Sequence, residues 1–382
     1  MVTKTSSVLS LAALSLLAFG LQVNAAEPPI KIGTIFPTSG PAGPSGVDAT
    51  NAVNAQVAII NNKGGLLGRQ LVVSSKDDES TPAVGVSRAN ELIVEKADVI
   101  FEGRNSPVAL AMQPVIAGAN ILDFTLSAKA DQLLSGKGNP LAIRIISSNE
   151  MDAQVIAHYV ADIQKAKRVA FMVQNDAYGN NALDVISEAL KKRGIEVVAA
   201  EKFPFKQTDF RVALTNVQSA KPDAVVVINA ATSGMPALIN QYRQAGIKAQ
   251  FVAGVTLLTP EVVAVTGEAL TGIVSASSYL PELEPLKDVQ ANREFVEAYK
   301  KAYGRMPGDE AGVAAQAVSV WAAAVRQTKR LDKKTVAEAI RGKTIEGTNF
   351  GKVEFAPNGQ MLTQPTLFRV VDGKSFKIEV VK

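Results

Sequence analysis

Ala97-Asp98-Val99-Ile100, a helical run, then Gly118-Ala119-Asn120-Ile121 is one passage of this chain; Pro222-Asp223-Ala224-Val225, a helical run, then Gln244-Ala245-Gly246-Ile247 is its echo. In each, a short apolar β-rich segment leads into a helix that closes on small or turn-forming residues before the next apolar segment. Alternation of strand and helix at this spacing is the pattern of a parallel sheet flanked by helices. Upstream, Ile30 to Phe36 reads as a strand ending in a Pro/Gly/Ser loop over 37–46. Ala49, Val53, Val57 and Ile60 then share one helical face, and Lys63-Gly64-Gly65 stops that helix with residues tolerant of positive φ. A strand over 71–76, a helix over 83–95, a strand over 98–101, a helix over 107–117 and a strand over 121–125 complete the first series. Strands at 168–173, 196–200, 223–229 and 250–253, with helices at 179–192, 210–219 and 235–245, make the second. The expectation is an α/β chain with two similar lobes, each a doubly wound, mostly parallel sheet. Beyond Tyr279 the pattern changes to helices over 288–303 and 310–327, a short helix from Thr335 and a β-rich end, which must return to cover one or both lobes.

Size and composition agree. At 382 residues the chain is long for one core and suited to two. It has no Cys, which removes disulfides, thiol nucleophiles and thiolate metal sites, and its one His leaves little else that transition metals prefer. No cofactor, metal or catalytic group is expected. Lys+Arg 40 against Asp+Glu 36 gives +4, but the longest basic run is Lys191-Lys192-Arg193, too little clustering for a nucleic-acid footprint.

Residues 1–26 carry Lys4, an apolar stretch from Val8 to Val23 and then Asn24-Ala25-Ala26. A positive end, an apolar middle and small residues at a cleavage point are the order of a Sec signal peptide. Losing Lys4 lowers the net charge from +4 to +3. Without Cys there is no lipid anchor, so a freely diffusing periplasmic protein is expected.

Ligands of open α/β sheets bind beyond the carboxyl ends of the strands. The candidate loops are therefore 37–46, 102–107, 125–131, 174–181, 229–236 and 254–259. Gly40, Gly43 and Gly46 invite a dinucleotide reading, but their spacing is not G-x-G-x-x-G, and Pro41 and Pro44 remove two backbone donors. In Arg104-Asn105-Ser106-Pro107, Ser106 reads as an N-cap and Pro107 as the first helical residue; an anion there would meet free N–H groups, the helix dipole and a hydroxyl. The same residues are equally explained if Ser106 only caps its own helix. His158, alone on a helix, and Trp321, among alanines, read as structural.

The mature chain resembles the periplasmic leucine/isoleucine/valine-binding proteins, the type I solute-binding components of ABC importers. The resemblance is carried by Ile30-Lys-Ile-Gly with Thr38-Ser-Gly-Pro41, Ile60-Asn-Asn-Lys-Gly-Gly-Leu-Leu-Gly-Arg69, Lys76-Asp-Asp-Glu79, Asp176-Ala-Tyr-Gly179 and Gln244-Ala-Gly-Ile-Lys-Ala-Gln-Phe251. It implies a two-lobed clamshell of the Venus flytrap kind, with chain crossings near Ser147, Tyr279 and Gln364. Lobe 1 would be 27–147 plus 279–363, and lobe 2 would be 148–278 plus 364–382. It further implies a small-molecule solute, membrane permease and ATPase subunits as partners, and a monomer.

The resemblance places the solute carboxylate on Ser106, beside Asn105, with Ser127 and Lys129 where a backbone carbonyl and a hydroxyl receive the amine and carboxylate. Tyr178 matches the stacking tyrosine of the second lobe. The chain departs from the pattern at Lys129, where Thr or Ser is usual, and at Ser45 and Ala231, where aromatics are common. It departs again at Val255, where an acid that pairs the solute ammonium is expected. An enclosed, unpaired ammonium costs several kcal/mol. The expected solute is therefore an amine-free carboxylate such as an aromatic acid, keto acid or dicarboxylate, with Lys129 meeting an oxygen anion. The alternatives are an amino acid whose ammonium pairs with Glu102, Asp123 or Asp176 while Lys129 faces solvent, and, in another class, a ligand sensor or a Rossmann-like enzyme.

Overall fold

The computed structural model describes residues 27–135, 139–255 and 257–381; the expected signal segment lies outside them. The first series comprises β1 (Ile30–Phe36), α1 (Gly43–Asn62), β2 (Leu71–Asp77), α2 (Pro82–Val94), β3 (Val99–Glu102), α3 (Ser106–Gly118), β4 (Leu122–Thr125) and β5 (Ala142–Arg144). Its strands form an all-parallel sheet in the order β2-β1-β3-β4-β5. The second series is α4 (Asn149–His158), β6 (Arg168–Gln174), α5 (Ala177–Lys191), β7 (Glu196–Phe203), α6 (Arg211–Ser219), β8 (Ala224–Ile228), α7 (Met235–Gln244), β9 (Gln250–Ala253), α8 (Pro260–Thr266) and β10 (Val274–Ser277). The chain continues through α9 (Gln290–Tyr303), α10 (Asp309–Thr328), α11 (Lys333–Ile340), β11 (Thr344–Thr348), β12 (Gly351–Phe355), β13 (Met361–Leu362), β14 (Thr366–Asp372) and β15 (Lys377–Val380).

The second sheet runs β15-β14-β10-β9-β8-β6-β7. Reading back from β7, its first five strands repeat the order of the first sheet, so the sequence echo is a topological one. The tail adds β14 and β15 antiparallel at the far edge. The remaining strands, β11-β12-β13, form a small sheet of their own.

Alternation along each strand builds two cores per sheet. Ile32, Phe36, Val99, Phe101 and Phe124 face α1 and α10, whereas Ile35 and Ile100 face α2 and α3. In the second sheet Phe171 and Val226 pack with α4 and α5, and Met172, Val225 and Val227 with α6 and α7. The Ala-rich α10 is buried along most of its length because small side chains let α1 approach. Trp321 there is 2% exposed and packs edge-on to Phe101 at 6.1 Å.

Two glycines fix how each lobe starts. A Cβ on Gly46 would stand 1.9 Å from the Pro37 carbonyl oxygen, and one on Gly179 would stand 1.8 Å from that of Gln174. Each lies in the first turn of the helix that follows β1 or β6, where helix and strand end touch. This also corrects the expected loop over 37–46: α1 begins at Gly43, with Pro44 in its first turn, where a missing N–H costs nothing.

Candidate functional site

The loops at the carboxyl ends of the two sheets meet around a narrow cavity of about 10 Å3, room for about one water molecule. Its wall is Arg104, Ser106, Ser127 and Lys129 from the loops after β3 and β4, and Tyr178, Asn229, Ala230, Val255 and Leu257 from those after β6, β8 and β9. Five of the eight expected residues are therefore on the wall. Ser45, Asn105 and Ala231 are not. Ser45 is buried in the first turn of α1, Asn105 is the N-cap residue of α3, and Ala231 lines an adjoining open groove with Pro41 and Ser233. Across that groove the Ser233 N–H donates to the Pro41 carbonyl at 3.3 Å.

Ser106 does not cap its own helix. It is the first residue of α3, and its Oγ accepts from the backbone N–H groups of Lys129 and Ala130, both at 3.1 Å. That ties the loop after β4 to the start of α3, which has no side-chain cap. The hydroxyl proton of Ser106 is left for a further acceptor.

Lys129 is on the wall and buried. At 2% exposure it does not face solvent, and its Nζ is held by Asp152 at 2.7 Å and by the Ser147 hydroxyl at 3.0 Å. A buried ammonium requires such partners. The carboxyl of Asp152 is nevertheless raised by burial, against the lowering pull of Lys129.

Arg104 is the cation that sequence reasoning passed over, although it stood in the motif beside Ser106. It is 6% exposed, and its Nε lies 3.4 Å from Glu310 Oε2 without a hydrogen bond to any described residue. Glu310, from the first turn of α10, accepts from the Ser127 hydroxyl at 2.7 Å. Burial raises its carboxyl, with Arg104 and the Ser127 hydrogen bond opposing. No local pattern could have revealed Glu310, because it arrives from more than two hundred residues beyond Arg104.

The three acids named as substitute ammonium partners lie elsewhere. Glu102 and Asp123 are buried within the first sheet, where Glu102 accepts from the Thr125 hydroxyl at 2.7 Å. Asp176 caps α5, accepting from the N–H groups of Tyr178 at 3.0 Å and Gly179 at 3.1 Å. That cap aims Tyr178, whose main-chain carbonyl also accepts from Asn149 at 3.1 Å. Gln174 donates to Asp176 and accepts from the Ala230 N–H at 2.9 Å, joining two parts of the wall. Desolvation pushes the Tyr178 phenol upward, so it remains a neutral hydrogen-bonding group.

The cavity wall thus carries two cations, each paired with a buried acid off the wall, together with Tyr178, Asn229 and the apolar Ala230, Val255 and Leu257. Among the described residues no group of three or more metal-ligating side chains is placed to hold a metal ion, and no helix is long and apolar enough to cross a membrane. His158 is exposed, pairs with Asp162 at 2.9 Å and is not on the wall.

Comparison with known proteins agrees with this architecture. The chain is 28% identical over 353 residues to a Leu/Ile/Val-binding protein, BraC3, of Rhizobium johnstonii, covering 90% of this chain and 92% of that protein. Its fold matches the isoleucine complex of the branched-chain amino acid transporter substrate-binding protein LivJ from Streptococcus pneumoniae, with a TM-score of 0.81, 26% identity, and 93% and 99% of the two chains covered. It also matches an ABC transporter solute-binding protein from Rhodopseudomonas palustris in complex with 3,4-dihydroxybenzoic acid, with a TM-score of 0.79, 25% identity, and 90% and 93% covered. The family model for periplasmic binding proteins matches residues 29–375, and the chain belongs to that family.

Proposed function

We propose that this protein is the periplasmic receptor of an ABC importer of the branched-chain amino acid type, and that its solute is an amine-free carboxylate with an apolar, preferably aromatic, body. Residues 1–26 would direct export, and the mature chain would act as a monomer that delivers solute to permease and ATPase subunits, with no chemistry of its own. The lobes would be 27–147 plus 279–363 and 148–278 plus 364–382. Support comes from the chain path, which leaves the first sheet after β5, returns after β10 and joins the second again at β14.

Arg104 carries the solute assignment. A buried guanidinium whose Nε has no hydrogen bond to a described residue, lining the narrow cavity between the sheets, would be matched by a carboxylate that accepts from its N–H groups in parallel once the cleft opens to admit it. Ser106 and the Tyr178 phenol can add a hydrogen bond each, while Val255 and Leu257 cover the apolar end. The wall itself carries two cations and no carboxylate. Lys129 is already neutralised by Asp152, so Arg104 takes over the role first expected of Lys129. The relatives with solved complexes hold isoleucine in one case and dihydroxybenzoate in the other, so both solute classes occur on this fold.

Glu310 supports the second reading. If Arg104 turned away from it, its carboxylate beside Ser127 would receive an ammonium, and an amino acid would fit. A thermal-shift series on refolded, ligand-free protein separates the two. Benzoate, hydroxybenzoates and keto acids should stabilise it, by about 2.7 kcal/mol at 100 times the dissociation constant, while leucine and isoleucine should not. Stabilisation by the amino acids alone would overturn the carboxylate assignment in favour of the Glu310 reading.

A further inference from the structure

At the rim of the cleft, away from the cavity, an ionic cluster joins elements of the two sheets. Arg305, in the turn between α9 and α10, places Nη2 at 2.8 Å from Asp48 Oδ1 in α1 and at 3.6 Å from Glu261 Oε1 in α8. Asp48 is 2% exposed and also accepts from the Tyr299 hydroxyl, and the Arg305 guanidinium lies over the Tyr299 ring at 5.7 Å. Beside them Gly308 abuts Pro260, the first residue of α8; a Cβ on that glycine would lie 2.8 Å from the proline ring. Asp48, Tyr299 and Arg305 thus form one body with the first sheet. Glu261 belongs to the second, since its neighbour Val262 packs with α7.

The contact is incomplete in an informative way. Arg305 Nη1 and Glu261 Oε2 are both buried and both without a partner among the described residues. One donor and one acceptor therefore remain for a second hydrogen bond, if α8 moves a little toward α1. The chain leading into α8 also carries Val255 and Leu257 of the cavity wall, so wall and rim move on one segment.

We infer that Arg305 and Glu261 are positioning residues for capture: an ion pair made only when the cleft is shut, with Asp48 and Tyr299 holding Arg305 ready on one lobe. The inference rests on the clamshell reading but on no choice of solute. Opening would separate Glu261 from Arg305 while leaving the Asp48–Arg305 pair intact.

The absence of Cys permits a direct test without solute. With Pro41→Cys and Ser233→Cys on the facing loops, the rate of disulfide formation under fixed oxidant counts visits to the shut state, however rare. Adding Glu261→Gln should slow trapping about two- to fivefold, the range open to a half-exposed ion pair. Arg305→Met should slow it similarly, Arg305→Lys should retain part of the rate, and the effect should fade near 1 M salt, where screening acts over about 3 Å. Equal rates with and without Glu261→Gln, slowing that persists undiminished at high salt, or a parent pair that never closes would each overturn the inference. Failure of the carboxylate assignment would show instead in the thermal-shift series, which this experiment does not use.

Discussion

Arg104 and Lys129 are both buried, ion-paired cations on one wall, yet their substitution should differ in what it does to binding. Arg104 makes no hydrogen bond to a described residue, so Arg104→Gln should weaken carboxylate binding by about 2–5 kcal/mol, beside the stability lost by leaving Glu310 without its cation. Isothermal titration with whichever acid stabilises the protein reads that loss directly. Lys129→Met strands Asp152 and should lower stability by about 3–5 kcal/mol, visible in denaturant unfolding without any solute. Glu102 and Asp123 supply a pH test. Burial raises both carboxyls, Asp123 to about 7, and proximity to Asp123 raises Glu102 further. A raised folded-state value means that the native state holds protons which the unfolded chain releases. Their contribution is complete below about pH 4 and is lost as pH rises toward 7. Asp123→Asn should therefore raise the melting temperature relative to the parent near pH 8, and that advantage should shrink as pH falls toward 4.

The elements show which sequence signals were sufficient. Strand and helix alternation placed both sheets because each core residue obeys a local period of two or 3.6, as Ile32 and Phe101 or Val53 and Val57 do. The loop that carries Ser106 was also legible, since Pro107 sits where a helix must start. The function of its hydroxyl was not legible, because its partners are the main-chain N–H groups of Lys129 and Ala130 on the next loop. Charge pairing failed for the same reason: Lys129 finds Asp152, and Arg104 approaches Glu310, across chain separations that no periodicity records. Gly312 in α10 is another contact of this kind. A Cβ there would stand 2.1 Å from the Tyr279 ring, which is stacked on Phe350 at 5.7 Å and donates to Asn292 at 2.7 Å. Helix propensity alone would favour Gly312→Ala, but the ring has no room to retreat. The expected outcome is destabilisation by about 1–3 kcal/mol in chemical denaturation.

At the scale of the whole molecule, the cores are separate while the cavity is shared. Apolar clusters lie on the two faces of each sheet, and of the contacts described across the cleft rim, Ser233 to Pro41 and Glu261 to Arg305 are polar and only Gly308 against Pro260 is apolar. Polar, partly hydrated contacts of this sort couple two bodies weakly, so relative motion and separate melting are the default. The chain crossings oppose full independence, because β14 and β15 complete the second sheet only after the chain has passed through the first. Calorimetry of ligand-free protein should accordingly give a transition whose calorimetric enthalpy exceeds the van't Hoff value, as expected for two units melting in overlapping steps. A solute bound between Arg104 on one side and Tyr178, Val255 and Leu257 on the other is lost when either unit melts. Saturating solute should therefore raise both steps and bring the two enthalpies together. A ligand-free transition with equal enthalpies would show that the cleft contacts already weld the two sheets into one cooperative body, and closure on a solute would then need another account.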